Sequence, residues 1–185
     1  MITIYVDADA SPVKNEAIRV ARRYGLKIYL VSNSKRNFPE DELVVPVLVS
    51  DRMDAVDDWI VEHVTEADVV VTADIPLASR CLKKGAKVLS PKGRVFTEDS
   101  IGEALANRDI MTFLRDLGTM TGGSPPYSKQ DRSRFLQRLD DLIQAIHKEY
   151  RKQDGKTMVL PVGDTKTSWT NESAHTAGGT ELPDN

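Results

Sequence analysis

The amino-acid sequence predicts a three-layer α/β domain, in which a mostly parallel sheet lies between layers of helices and is followed by C-terminal helices. Over residues 1–90, short apolar runs alternate with amphipathic stretches of helix length. The connections between them are short, which favours right-handed crossovers and a parallel sheet. After residue 90 the periodic sequence is mainly helical. With 185 residues, the chain is long enough for one well-buried domain and too short for two comfortable ones.

Five segments have the apolar character of buried strands. The first lies at the start of the chain, and the second follows Gly25, a residue type that commonly ends a helix. The third contains Pro46, which cannot donate a backbone hydrogen bond and therefore favours an edge position. The fourth is the most apolar, and the fifth is short. The predicted strands are residues 2–7, 27–32, 43–49, 68–72 and 86–90.

Three helices are predicted between these strands. The first has small and aliphatic residues on one side and arginines on the other, and the second repeats apolar residues at helical spacing. Pro76 has a favourable first-turn position in the third helix, and Gly85 ends it. The predicted helices are residues 13–24, 54–67 and 76–85.

The C-terminal part of the domain is predicted to be helical. Thr97 is placed to cap one helix. Ser128 with Asp131 resembles a capping box, with Asp in place of the usual Glu, at the start of another. The predicted helices are residues 97–107, continued or restarted by 108–117, and 128–150.

The sequence changes character after Gln153. Hydrophobic periodicity disappears into Gly, Thr, Ser, Asn and Asp, which predicts disorder. Residues 154–185 carry two lysines and five acidic residues, so they account for the whole net charge of −3. We therefore predict one domain over residues 1–150 and a disordered tail over residues 154–185, with residues 1–153 carrying no net charge.

The composition excludes membrane proteins and disulfide-stabilised proteins. No apolar run approaches the roughly 20 residues of a membrane-spanning helix, and the N-terminus lacks the basic and apolar stretches of a secretory signal. Cys81 is the single cysteine, which excludes an intramolecular disulfide and a cysteine-built metal site. We expect a cytoplasmic protein with no membrane partner, in which any metal is held by oxygen ligands.

Aspartates follow two of the predicted strands at the point where each strand ends. Asp7 and Asp9 come at the end of the first strand, and Asp74 follows the fourth. The carboxyl ends of parallel strands meet at one edge of a sheet, which is where ligands bind in such folds. Asp54 and Asp57 are one helical turn apart at the start of a predicted helix, so they share a side of it. We expect these aspartates to gather at that edge.

Carboxylates that converge in one place repel one another, and a bound cation relieves that repulsion. Oxygen ligands without Cys or His select Mg²⁺ or Mn²⁺. Such ions can lower the pKa of a bound water and stabilise the oxygens of a phosphoryl displacement. The candidate metal ligands are Asp7, Asp9, Asp54, Asp57 and Asp74.

A basic stretch follows the last of these aspartates. From Arg80 to Arg94 there are six basic residues and no acidic one. This local pattern favours contact with a phosphate backbone even though the pI of the whole chain is about 5.7. A nucleic-acid partner is therefore predicted, with RNA favoured. The candidate substrate-binding residues are Thr72, Arg80, Lys83, Lys92 and Arg94.

Each of these features also has a structural interpretation. Asp9 precedes Ser11-Pro12 and fits a turn former, and Asp54 fits a helix cap. The segment Thr121-Gly-Gly-Ser is either a backbone cradle for phosphate or a plain connector. For any one of these aspartates considered alone, a structural role is favoured over a functional one. Three independent clusters at one sheet edge are less expected by chance, so the joint pattern favours a site.

A series of short motifs extends over residues 1–146. The motifs are Val6-Asp-Ala-Asp-Ala10 with Pro12, Asp54-Ala-Val-Asp57, Thr72-Ala-Asp-Ile-Pro-Leu-Ala78, Lys84-Gly-Ala86, Arg108-Asp109, Thr121-Gly-Gly123 and Asp131-Arg132. Together they resemble the YaiI/YqxD family of uncharacterised bacterial proteins, which is placed among PIN-like nuclease folds. The resemblance implies a PIN-like fold and an acidic, divalent-metal nuclease site. It implies Asp7, Asp57 and Asp74 as the catalytic centre.

Two other functions are compatible with the same residues. Asp7-Ala-Asp9 also resembles the nucleophile and acid/base pair of haloacid-dehalogenase-like phosphatases, with Asp7 as the nucleophile. Those enzymes carry a flap hairpin after the nucleophile strand. Here Ser11-Pro12 leads straight into the predicted helix, which leaves no room for such a hairpin and disfavours that class. A non-catalytic RNA-binding module is the third hypothesis, although a phosphate-binding surface gains nothing from additional carboxylates.

Overall fold

The computed structural model describes residues 2–9, 11–35, 37–118 and 126–154, and the predicted alternation of strands and helices is present in it. The strands are β1 Thr3–Asp7, β2 Lys27–Ser32, β3 Val44–Leu48, β4 Val69–Val71, β5 Lys87–Leu89 and β6 Val95–Phe96. The helices are α1 Lys14–Tyr24, α2 Ala55–His63, α3 Ile75–Leu82, α4 Glu98–Asp116 and α5 Lys129–Asp154.

The described strands form a six-stranded sheet in the order β3-β2-β1-β4-β5-β6. Strands β1 to β5 pair in parallel, and β6 is antiparallel to β5. Pro46 lies in β3 at the sheet edge, which confirms its predicted position because an edge strand needs no donor on its outer side.

The two faces of the sheet are covered by different helices. On one face, α1 and α5 pack over Ile4 and Val6 of the central strand. On the other, α2, α3 and α4 pack over Tyr5 and its neighbour Val70. Successive strand residues point to opposite faces, so each strand contributes to both cores. The predicted three-layer, mostly parallel α/β class with C-terminal helices is confirmed.

Strand β6 is an element that periodicity did not predict. It is two residues long, too short for a sequence pattern, and it pairs with β5 through a tight turn. In that turn the N–H of Ser90 donates to the carbonyl of Arg94 at 2.8 Å, and Gly93 has a φ of 79°. A Cβ at Gly93 would come within 2.8 Å of Arg134 on α5, so glycine permits both the turn and its close packing.

The structure corrects the predicted end of α2 and, for α4, selects continuation over a restart. Helix α2 ends at His63 because Val64 is extended and Asp68 accepts hydrogen bonds from the backbone of Thr65 and from that of Thr3. The predicted end at residue 67 was therefore wrong. Helix α4 runs without a restart from a capping box formed by Thr97 with Ser100.

Helix α5 begins at the predicted reciprocal cap. The N–H of Ser128 donates to Asp131 at 2.9 Å, and the N–H of Asp131 donates to the Ser128 hydroxyl at 3.1 Å. The helix continues to Asp154, past the predicted end at residue 150. Segment 119–125, which contains the predicted glycine-rich connector, and residues 155–185 of the predicted tail lie outside the described residues. Among the described helices, none has the length and apolarity needed to cross a membrane.

Candidate functional site

In the middle of the sheet, the connections that leave two neighbouring strands lead to opposite edges of the sheet. Strands β1 and β4 are neighbours, but the chain leaves β1 towards β2 on one side and leaves β4 towards β5 on the other. Helix α1 covers one face and α3 covers the other. The two crossovers therefore diverge at the carboxyl ends of β1 and β4, and a crevice at such a point is the usual ligand site of an open α/β sheet.

Thr72 links the aspartates on either side of this point. Its hydroxyl lies 3.3 Å from Oδ2 of Asp7 and accepts the N–H of Asp74 at 3.0 Å. Thr72 is fully buried, and Asp7 is 6% exposed. Asp74 caps α3, with its Oδ1 accepting the N–H of Leu77 at 2.8 Å. Backbone and hydroxyl contacts thus hold Asp7 and Asp74 beside each other, while the predicted substrate-binding role of Thr72 stays a prediction.

Helix α2 adds Asp57 to this pair from the adjacent layer. Burial raises the pKa of Asp57 from its ordinary 3.8 to about 6, and the negative charges of Asp74, Asp7 and Asp54 contribute to the rise. The positive charge of Arg80 opposes it. Asp7, Asp57 and Asp74, which we name the carboxylate cluster, therefore influence one another electrostatically although they come from three separate elements.

Asp54 lies at the rim of the carboxylate cluster in an unusual conformation. It is the residue before α2 and has a φ of 61°, in the left-handed region that non-glycine residues rarely occupy. Its exposed side chain makes no capping hydrogen bond to the described part of α2. The proposed cap role is therefore wrong for its side chain, and the backbone strain places its charge near Asp57.

Asp9 makes its contacts on the other side of β1. Its Oδ2 accepts the N–H of Asn33 at 2.8 Å, and its Oδ1 lies 3.1 Å from the hydroxyl of Ser34. These bonds tie the end of β1 to the end of β2, whereas Asp74 follows β4 on the opposite side. The structure thus gives Asp9 the connecting role that its sequence context also suggested, and its metal-ligand role stays a prediction.

The four predicted basic residues lie in two places, two at α3 and two in the turn after β5. Arg80 is near the carboxylate cluster and bonds Asp58 at 2.8 Å. Hydrogen bonds from Arg80 and Arg52 hold the pKa of Asp58 below its usual range. Lys83 is at the other end of α3, nine residues and about 13 Å along the helix from Asp74, so the structure does not bring it to the cluster.

Lys92 and Arg94 lie in the turn after β5, on the same edge of the sheet as the carboxylate cluster. Arg94 is exposed, and its guanidinium lies 5.2 Å from the ring centroid of Phe96. Arg134 of α5 donates to the carbonyl of Lys92 at 3.3 Å, which joins the turn to α5. Both predicted residues are therefore placed where an extended anion leaving the cluster could reach them.

Lys14 is a site residue that the sequence pattern did not identify. It is the first residue of α1, and its Nζ donates to the carbonyl of Ala8 at 3.2 Å, between Asp7 and Asp9. A helix that follows a parallel strand begins at the carboxyl edge of the sheet, so a lysine in its first turn is a signal available from sequence.

The chemistry of the carboxylate cluster fits a hard divalent cation. Its donors are all carboxylate oxygens, and the pKa of Asp57 is raised first by burial and then by neighbouring carboxylates, whose negative charge a cation would offset. Within the described ranges, no three His, Cys, Asp or Glu side chains are spaced to hold an ion as they stand. Holding Mg²⁺ or Mn²⁺ would therefore require side-chain movements, for which Asp57 and Asp74 are less buried than Asp7.

Comparison with known proteins places the chain in a family. Residues 5–145 match the sequence model of the uncharacterised bacterial YaiI/YqxD family, a range that includes all five candidate aspartates. A UPF0178 protein of Parvibaculum lavamentivorans is 53% identical over 148 residues, which cover 80% of this chain and 97% of that protein.

Two further relatives show the same pattern of coverage. A UPF0178 protein of Paramagnetospirillum magneticum is 51% identical over 77% of this chain and 95% of its own length. One from Rhodospirillum centenum is 50% identical over 80% of this chain and 99% of its own. No solved structure matches the chain significantly. The family match and these identities show that the chain belongs to the YaiI/YqxD family.

Proposed function

We propose that the protein is a cytoplasmic, divalent-metal-dependent nuclease that hydrolyses phosphodiester bonds, with RNA as the favoured substrate. The observation that carries the proposal is that Asp7 and Asp74 both contact Thr72 at the point where the crossovers diverge, with Asp57 near enough for their charges to act on it. A folded protein rarely keeps several partly buried like charges together without a cation or a reaction that uses them.

The residues have separable tasks in this proposal. Asp7, Asp57 and Asp74 would hold Mg²⁺ or Mn²⁺, which when bound supplies activation of water and charge stabilisation at the phosphate. Thr72 keeps Asp7 and Asp74 at a fixed separation.

The surrounding cations supply the binding surface. Lys14 and Arg80 lie closest to the carboxylate cluster, one on the β1 side and one on α3. Lys92 and Arg94 lie one strand further along the same edge. An anion that contacts both groups must extend beyond a single phosphate, which supports a polynucleotide over a small phosphoester.

The phosphatase hypothesis has less support. Such an enzyme needs a flap hairpin directly after the nucleophile strand, but residues 10–13 alone separate Asp9 from α1. It also gives no task to Asp57, whose pKa is raised to about 6.

The proposal is tested with the full chain, Mn²⁺ and a panel of labelled RNA and DNA strands. Asp57→Asn and Asp74→Asn should each lower the cleavage rate about 100-fold or more, because Asn keeps the shape but removes a negative ligand. Asn also caps helices well, so Asp74→Asn should retain α3. Asp99→Asn is the matched control, since Asp99 is an exposed acid in the first turn of α4.

Two outcomes would contradict the nuclease. Wild-type protein that binds RNA with Mn²⁺ but cleaves nothing in the panel would favour the binding module. Phosphorylated Asp7 after reaction with a phosphomonoester would favour the phosphatase, since hydrolysis by activated water leaves no covalent intermediate.

A further inference from the structure

The apolar side of α4 changes direction along the helix. In its first half, Ile101 and Ala104 are buried against the core beneath the helix. In its second half several large apolar residues face solvent, although Leu114 is half-buried. Ile110 is 54% exposed, Phe113 is 62% exposed and Leu117, the residue that ends the helix, is 59% exposed.

The length of α4 explains why its second half lacks a core beneath it. Helix α4 has 19 residues and packs mainly against α3, which has eight. At 1.5 Å per residue, α4 extends about 16 Å further than α3. The side that continues from Ile101 carries Arg108, Thr112 and Arg115, at spacings of seven, eleven and fourteen residues. The second half is therefore polar where the first half is buried, and apolar on the opposite side.

The exposed apolar residues have the spacing of a helix-pairing seam. Ala106, Ile110, Phe113 and Leu117 follow one another at intervals of four, three and four residues, which is the spacing of the inner positions of a coiled coil. A solvated helix gains nothing from this arrangement, because Ile and Phe lower helix propensity relative to Ala. We name these four residues the α4 seam.

We propose that the α4 seam is a homodimer interface, covered by the same seam of a second copy in antiparallel orientation. An antiparallel pair places Ile110 opposite Phe113 of the second copy, and Ala106 opposite Leu117 of the second copy. Each layer then joins unlike side chains, and the small Ala106 leaves room for the large Leu117. A parallel pair would stack Phe113 on Phe113 and leave two alanines facing each other, so its layers would be uneven.

The size and charge of the surface determine how tightly the copies associate. Three large side chains that are more than half exposed, together with Met111 at the flank, present on the order of 400 Å² of apolar surface. Two copies would bury on the order of 800 Å², less than the roughly 1,000 Å² of a stable interface, so the association should be weak. Asp109 and Asp116 flank the seam, and an antiparallel pair brings these acidic flanks to the same side. The dimer should therefore be of micromolar strength, and added salt should tighten it.

The first test is sedimentation equilibrium of the full chain over concentrations on both sides of the micromolar range. Wild type should show a monomer–dimer equilibrium, and Phe113→Asp should weaken it at least about tenfold. Met53→Asp is the matched control, because Met53 is an isolated apolar residue that is 83% exposed outside the seam. A wild-type protein that stays monomeric, or a Phe113→Asp protein that dimerises like the control, would overturn the proposal.

The second test reads the register and does not depend on the first variant. Ile110→Cys mixed with Phe113→Cys should form a disulfide-linked dimer faster than either protein alone, because the two positions face each other across the antiparallel pair. Cys81 is fully buried and should not compete. Cross-linking of each variant with itself instead would overturn the antiparallel pairing. If the Phe113→Cys protein is monomeric and its new thiol is still protected from a thiol reagent, the seam is covered by residues 155–185. That result would overturn the homodimer.

Discussion

Acidic residues have favourable partners in one region of this molecule and lie close to other acids in another. Between α1 and α5, buried Glu16 bonds Arg132 at 2.9 Å, and Asp140 accepts bonds from Arg23, Tyr24 and Gln144. In the carboxylate cluster, by contrast, burial and the charges of Asp74, Asp7 and Asp54 raise the pKa of Asp57. Pairing stabilises the α1–α5 interface, whereas repulsion at the crevice costs stability. This difference supports the proposed site at the crevice, because ionisable groups with perturbed pKa values cluster at functional sites.

Removing the arginine that pairs with buried Glu16 should have the largest effect on stability. Arg132→Gln leaves the Glu16 carboxylate, whose side chain is 7% exposed, without its charged partner. We expect a loss of about 2–3 kcal/mol in the free energy of unfolding, below the value for a fully buried pair because the Arg132 side chain is 57% exposed. Urea unfolding measures this loss.

The matched control for this prediction is Arg138→Gln. Arg138 and Asp141 form a 3.8 Å pair on the same helix in which both side chains are more than half exposed. Such surface pairs contribute little, so the unfolding midpoint should hardly change. Equal losses in the two variants would show that burial of Glu16 does not distinguish this pair.

Removing a negative charge from the carboxylate cluster should raise the free energy of unfolding, the opposite of the effect of Arg132→Gln. The pKa of Asp57 is raised to about 6, so the folded state holds its proton more tightly than the unfolded state. Well below pH 3.8 both states are protonated and the residue has no effect, and at pH 4 its effect is still small. As pH rises towards 6, the folded state loses stability, and the loss is complete above that pH. Its size is about 1–2 kcal/mol after screening by solvent.

Asp57→Asn should therefore raise the melting temperature by about 3–6 °C at pH 7.5 and leave it nearly unchanged at pH 4. Mn²⁺ should raise the melting temperature of wild type at pH 7.5 more than that of the variant, because a cation relieves the same repulsion. Calorimetry at the two pH values measures both effects. A stabilisation of equal size at both pH values would show that repulsion is not its cause.

Relief of backbone strain beside the carboxylate cluster should have the smallest effect. Asp54 has a φ of 61°, which glycine adopts without strain. Asp54→Gly should stabilise the fold by about 0.5–1 kcal/mol relative to Asp54→Asn, which removes the same charge but keeps a side chain. Denaturant unfolding of the two variants separates strain from charge. No difference between them would mean that the left-handed conformation costs nothing here.

Local sequence chemistry was sufficient for much of the fold. Apolar runs specified β1 to β5, Pro46 indicated the edge strand, and Ser128 with Asp131 specified the start of α5. Asp7 and Asp74 were identified because they follow strands, and a parallel sheet places such residues at one edge. These features depend on a few neighbouring residues, so a sequence pattern records them.

Other features depend on contacts between residues far apart in the chain. The pairing of β1 with β4 brings Asp7 within reach of Thr72, 65 residues later, and no local pattern encodes that neighbour. The same pairing leaves Asp9 on the β2 side, where the backbone of Asn33 binds it. Strand β6 exists because β5 offers it hydrogen bonds, not because two residues have a strand signature. Sequence periodicity reports which face of an element is buried, whereas the identity of the neighbour follows from how all the elements pack together.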